Sequence, residues 1–110
     1  MMHECVIHYR GIRFSIFRDN REVGHAYLYF LMNDHHERPF GLLEDVFVDP
    51  LYRGRGIARE IIDAVVEKVR YERCYKLIAT SRDDGTREAV HAWYVRRGFT
   101  DYGTEFRMNF

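Results

Sequence analysis

The sequence predicts an α/β fold of the mixed-sheet (α+β) kind, with helices packed on one sheet. Three observations carry this. Apolar residues recur at period two early in the chain, as at Ile12, Phe14 and Ile16. The period then becomes helical, with Ile57, Ile61, Val65 and Val69 on one stripe. An apolar stretch at residues 75–80 follows, closing a strand–helix–strand unit expected to be a right-handed parallel crossover.

Taken in order, residues 4–8 alternate weakly and are expected to form a first strand. Residues around 12–16 form the second. Asp19-Asn20-Arg21-Glu22 is a turn, so residues 23–32 return as an aromatic-rich third strand in a hairpin. Residues 33–40, with His35-His36 and Pro39, read as a loop. Residues 42–48 are a fourth strand, apolar on both faces except at Glu44 and Asp45, as suits a central strand covered by helices. Pro50 ends it. A helix is expected over residues 56–71, with Ala58, Ile62 and Val66 flanking the stripe and Arg59, Glu60, Asp63, Glu67 and Arg70 facing away. After the fifth strand, Asp83-Asp84-Gly85-Thr86 reads as a turn with a helix cap. A second helix is expected over residues 86–97, with Val90, Trp93 and Tyr94 toward the core and Gly98 as its stop. Residues 99–102 and 105–110 are expected to make a final antiparallel pair. The predicted order is β-β-β-β-α-β-α-β-β.

A chain of 110 residues is expected to form one domain, residues 1–110, with one core. A content of 46% hydrophobic and 15% aromatic residues argues against disorder. Seventeen basic and seventeen acidic side chains cancel, so no overall field favours nucleic acid. Cys5 and Cys74 make no disulfide framework and read as small core residues in a reducing compartment. No apolar run approaches a membrane span and the N-terminus does not read as a signal peptide, so a cytoplasmic protein is expected. The histidines lack metal-ligand spacing, and no metal is expected.

The densest chemistry lies at Arg53-Gly54-Arg55-Gly56-Ile57-Ala58, where an apolar strand passes through Asp49-Pro50 into a helix. A helix leaves about four N–H groups unpaired at its start. Glycines let a ligand approach the main chain, and Arg53 and Arg55 add charge. The turn therefore reads as an anion site, with an exposed basic turn as the alternative. It is not a P-loop, because no Gly-Lys-Ser/Thr follows. Nor is it a dinucleotide fingerprint, because Arg59 stands where a third small residue is needed.

These residues resemble Arg/Gln-x-x-Gly-x-Gly/Ala, the pyrophosphate loop of the GNAT family of N-acetyltransferases. Pro50-Leu51-Tyr52-Arg53-Gly54 is similar to that family's approach to the loop. Trp93-Tyr94 followed by Gly98-Phe99 is similar to its second landmark, and the likeness runs from Leu42 to the end of the sequence. The resemblance implies acetyl-CoA as co-substrate, bound where the fourth and fifth strands splay apart. It implies pantetheine contacts from the backbone of Val46, Phe47 and Val48, with the amide near Val46 as oxyanion donor. It implies pyrophosphate binding by Arg53, Gly54, Arg55, Gly56, Ile57 and Ala58. Tyr94 would be the general acid toward the leaving thiolate; without the resemblance it reads as a core tyrosine. Arg87 replaces an asparagine common in the family seven residues before that tyrosine, and would meet a phosphate instead. The sequence also departs from the family at Tyr9-Arg10-Gly11, which leaves room only for a turn where relatives place helices. The acceptor site is therefore expected to be open, or completed by a second copy in a homodimer.

Glu44 and Asp45 interrupt an apolar strand, where an unpaired charge is costly to bury. A bulge could re-aim one of them. Polyamine acetyltransferases, which this segment resembles, carry such acids facing the amine, so Glu44, and less directly Asp45, are candidate bases. The structural alternative is a loop cap and a salt bridge. His91, one helical turn before Tyr94, either lines the acceptor pocket or is structural. The expected function is direct acetyl transfer to a primary amine: a small amine, a polyamine, an amino-acid-like molecule or a protein amine. Cys5 and Cys74 lie outside both motifs, which argues against a cysteine intermediate. The alternative function is an acyl-CoA-binding regulatory or partner-binding module without turnover.

Overall fold

The computed structural model describes residues 1–81 and 85–110. They form two compact units, Met1–Ala79 and Thr80–Phe110.

In the first unit, β1 (Arg10–Arg18), β2 (Arg21–Leu31), β3 (Phe40–Val48) and β4 (Leu77–Ala79) form one mixed sheet in the order β1-β2-β3-β4. The β1–β2 and β2–β3 pairs are antiparallel, and β3–β4 is parallel. The β1–β2 turn places Asp19 at φ 53° and Asn20 at φ 62°. This is the left-handed conformation that two-residue hairpins require and that Asp and Asn tolerate. The helix α1 (Ile57–Tyr71) packs on one face of the sheet. It buries Ile57, Ile61, Ile62, Val65 and Val69 against Val23, Ala26, Leu28, Phe30 and Leu43. No polar or charged side chain is buried in this core among the described residues. Gly24 sits beneath the start of α1: a Cβ there would lie 2.8 Å from Ile57 Cγ2 and 3.3 Å from Ile61 Cδ1. The missing side chain is what lets the helix N-terminus approach β2.

In the second unit, α2 (Glu88–Arg96) ends at Gly98, whose φ is 102°. The Gly98 N–H donates to Val95 O at 3.0 Å and the Phe99 N–H to Tyr94 O at 3.1 Å. The Phe99 ring meets the Tyr94 ring edge-on at 5.3 Å. Together these make a Schellman motif with its apolar contact. The Tyr94…Gly98-Phe99 spacing thus has a local physical cause: it terminates the helix and fixes one side of the Tyr94 ring.

Several expectations are corrected. Residues 4–8 form no strand; Val6 and Ile7 are exposed, so the weak alternation finds no surface to bury against. Residues 99–102 and 105–110 form no strand pair either, and Tyr102, Phe106, Met108 and Phe110 are exposed. Period-two patterning gives a strand only where another strand takes its backbone groups. Cys5 is exposed rather than a core residue, whereas Cys74 is half-buried. The helix α2 starts at Glu88 with Arg87 as its N-cap, not at Thr86. It buries none of its residues fully; Val90, Trp93 and Tyr94 are half-buried. The turn expected at Asp83-Asp84-Gly85-Thr86 falls partly outside the described residues.

Candidate active site

Strand β3 carries the candidate residues of the first unit. Its parallel pairing with β4 covers only Gly41, Leu42 and Leu43, opposite Leu77, Ile78 and Ala79. Beyond Leu43 no strand lies on that side of β3 among the described residues, while its other side stays paired to β2 as far as Val48 opposite Gly24. The backbone from Glu44 to Val48 is therefore half a ladder, with polar groups open to a ligand on one edge.

The two acids sit where the ladder is distorted. Tyr27 is opposite Glu44 and His25 is opposite Phe47, so β3 has one more residue than β2 across this gap. Asp45 absorbs the extra residue with φ 52°. The expected bulge is thus present, and it resets which side chains face the helix. Leu43 is buried before it, and Val48 stands opposite the core-facing Gly24 after it. Glu44 shares a face with Tyr27, and Phe47 stacks on His25 at 5.2 Å on that same side. Glu44 is half-buried and Asp45 exposed. Neither makes a hydrogen bond or ion pair among the described residues, so the salt-bridge and loop-cap alternative is not what is found.

The same face carries a closed polar network. Arg13 forks onto Glu22, with Nη2 donating to Oε2 at 3.0 Å, and its Nε donates to the Tyr27 hydroxyl at 3.1 Å. The guanidinium holds the Glu22 carboxyl down at about 2. His25 Nδ1 lies 3.6 Å from Glu22 Oε2. Arg13 is therefore committed to an internal carboxylate.

At the exit of β3, Asp49 caps the 3-10 turn Pro50–Tyr52 by accepting from the Leu51 N–H at 2.9 Å. Asp before Pro is a helix-start signal, so Asp49-Pro50 opens this turn as well as ending the strand. Gly54 (φ 75°) and Gly56 (φ 80°) then take left-handed conformations that only glycine adopts easily. A Cβ at either would meet nothing within 4 Å, so open space lies over the turn. Gly56 is the N-cap of α1, and no side chain caps that helix. Arg18 pairs with Glu60 at 2.7 Å and Arg21 with Asp49 at 2.5 Å. Arg53 and Arg55, flanking Gly54, have no carboxylate partner among the described residues. A cleft of about 170 Å³ lined by Arg18, Asp19, Tyr52, Arg55 and Ile57 lies beside them. Free helix amides, uncommitted guanidiniums and an open turn fit a diphosphate.

In the second unit, Tyr94 is half-buried, and burial pushes its phenol above the ordinary value of 10.0 while Arg87 pulls it the other way. Among the described residues, Arg87 Nε is buried without a hydrogen-bond partner, as are Ser81 Oγ and Arg97 Nε. An orphaned guanidinium nitrogen is an unmet donor that an anionic ligand can satisfy. His91 is half-buried. His35 and His36 are exposed, and His36 stacks on Tyr75 at 4.3 Å. Among the described residues no group of three or more His, Cys, Asp or Glu could hold a metal. No described helix is long and apolar enough to cross a membrane.

These features define a mixed α/β protein whose inner strand loses its parallel partner after Leu43, bulges at Asp45 and runs into a glycine-rich helix start. A model of the Acetyltransferase (GNAT) family matches residues 2–99. The chain belongs to that family. It is 33% identical over 72 residues to a glucosamine 6-phosphate N-acetyltransferase of Trypanosoma brucei brucei, a match covering 66% of this chain and 46% of that protein. It is 31% identical over 70 residues to glucosamine 6-phosphate N-acetyltransferase 1 of Oryza sativa subsp. japonica, covering 64% and 39%. The match thus spans less than half the length of these curated relatives. A crystal structure of a Trypanosoma brucei acetyltransferase superposes with a TM-score of 0.82 at 29% identity, covering 91% of this chain and 69% of that one.

Proposed function

We propose that this chain transfers the acetyl group of acetyl-CoA to a primary amine by direct attack. The observation that carries the reading is the continuous run along β3: pairing lost after Leu43, a bulge at Asp45, and an uncapped arginine–glycine turn at the strand's exit. Acetyl-CoA supplies the thioester. The open backbone edge of Val46, Phe47 and Val48 receives the pantetheine arm, and the Val46 N–H stabilises the oxyanion. Arg53, Gly54, Arg55, Gly56, Ile57 and Ala58 hold the pyrophosphate, and Arg87 offers its unmet donor to a phosphate. Glu44, without a hydrogen bond or ion pair among the described residues, takes the amine's proton through water, with Asp45 keeping the local field negative. As the C–N bond forms and the C–S bond breaks, Tyr94 gives its proton to the sulfur; a phenol raised by burial is fully protonated at neutral pH. Half-burial pushes the Cys74 thiol up too, which disfavours a thiolate nucleophile there.

The acceptor is a small amine. Two similar proteins are named for glucosamine 6-phosphate, a phosphorylated amino sugar, and that compound heads the test panel. Release of free thiol from acetyl-CoA is measured with glucosamine 6-phosphate, polyamines, amino acids and lysine peptides. Thiol release with a small amine supports the reading, and release with lysine peptides alone reassigns the acceptor to protein. CoA binding without release on any acceptor replaces the enzyme by an acyl-CoA-binding module.

A further inference from the structure

We propose that Tyr52 is a positioning residue for ligand binding: its ring holds the Arg55 guanidinium in the conformation that meets the anion. The inference rests on the reading of the 53–58 turn as a pyrophosphate site. The Arg55 guanidinium carbon lies 4.9 Å from the centroid of the Tyr52 ring. That of Arg21 lies 5.7 Å from the same centroid. The two cations are not equivalent. Arg21 is neutralised by Asp49 at 2.5 Å, whereas Arg55 has no carboxylate among the described residues.

A surface arginine is usually ordered by a carboxylate, which also cancels its charge. Here a neutral aromatic face orders Arg55 and leaves its charge available. The ring itself is anchored. Its residue closes the turn through the Tyr52 N–H to Asp49 O at 2.8 Å, and its hydroxyl donates to Asp19 Oδ2 at 3.4 Å. The Asp49 N–H in turn donates to Val23 O at 2.8 Å. The tip of the β1–β2 hairpin thus braces the ring, and the ring braces the arginine that lines the cleft beside Gly54. Ordering a rotamer-rich side chain before the ligand arrives removes that cost from binding.

The test is a double-mutant cycle on CoA affinity by titration calorimetry, with Tyr52→Leu, Arg55→Gln and the pair. Tyr52→Leu is expected to weaken CoA binding about three- to tenfold. With Arg55→Gln already present, the same change is expected to cost no more than about twofold, and Tyr52→Phe restores most of the affinity lost in Tyr52→Leu. Equal losses in both backgrounds would mean that Tyr52 only supports the turn, and no loss would remove its role. If the unaltered protein binds no CoA, the pyrophosphate reading fails, and the inference goes with it.

Discussion

At the residue scale, the same kind of side chain does different work according to its partner. Arg13, Arg18 and Arg21 each meet a carboxylate, and their charge is cancelled within the protein. Arg53 and Arg55 meet none among the described residues, and they are the ones that flank the open turn. Tyr94 differs from an ordinary surface tyrosine in that burial raises its phenol above 10.0. A general acid works only while protonated, so its contribution is lost as pH rises through its pKa. Because burial raises that pKa, the fall lies to the alkaline side of an ordinary phenol's. Tyr94→Phe is expected to lower kcat by a factor of about 100 or more. It should leave CoA affinity in place and abolish the alkaline fall in the pH–rate profile of thiol release. A variant with full kcat and an unchanged profile removes the acid role. Glu44→Gln is expected to lower kcat by a factor of about 100 while CoA affinity and the alkaline fall both persist.

At the element scale, the start of α1 depends on two glycines for different reasons, and substitution separates them. Gly24→Ala places a methyl 2.8 Å from Ile57 Cγ2 and 3.2 Å from Phe47 O, so a neighbour must shift. It is expected to destabilise the protein by about 1–3 kcal/mol, read as a lower urea midpoint at unchanged slope. Gly56→Ala meets nothing within 4 Å but is strained by φ 80°. It is expected to cost only about 1 kcal/mol of stability while weakening CoA binding more than Gly24→Ala does. The turn and α1 were legible in the sequence because both are local: Gly-x-Gly after Asp49-Pro50, then apolar residues at helical spacing. The hairpin was legible for the same reason, through Asp19-Asn20. The terminal segments were not. Residues 4–8 and 105–110 alternate, but a strand also needs a neighbour, which is a tertiary fact that period two does not encode. Cys5 is exposed for the same reason, since the strand that would bury it does not form. The bulge at Asp45 lies between these cases, since two acids in an apolar strand signal a distortion without saying which residue absorbs it. Tyr52 was visible as part of the turn motif, but its hold on Arg55 depends on a hairpin far away in sequence.

At the scale of the whole molecule, burial is unevenly distributed between the two units. In Met1–Ala79, α1 buries five apolar residues against a sheet, with Ile61, Ile62 and Val65 at 1% exposure or less. In Thr80–Phe110, α2 buries none, and among the described residues the buried polar atoms without partners, Ser81 Oγ, Arg87 Nε and Arg97 Nε, all belong to that unit. Protection of a backbone amide against exchange follows the free energy needed to open its surroundings. That energy comes from buried apolar area and satisfied polar groups. The α2 amides should therefore exchange through openings that leave the first unit intact, whereas those of α1 should exchange only with global unfolding. Hydrogen exchange followed by mass spectrometry is expected to show peptides from residues 88–96 exchanging at least about 30-fold faster than those from residues 61–69, equivalent to about 2 kcal/mol. Raising denaturant below the unfolding transition should accelerate the α1 amides steeply and the α2 amides little, because small openings expose little surface. Equal protection in both helices, with one shared denaturant dependence, would mean that the chain opens only as a whole.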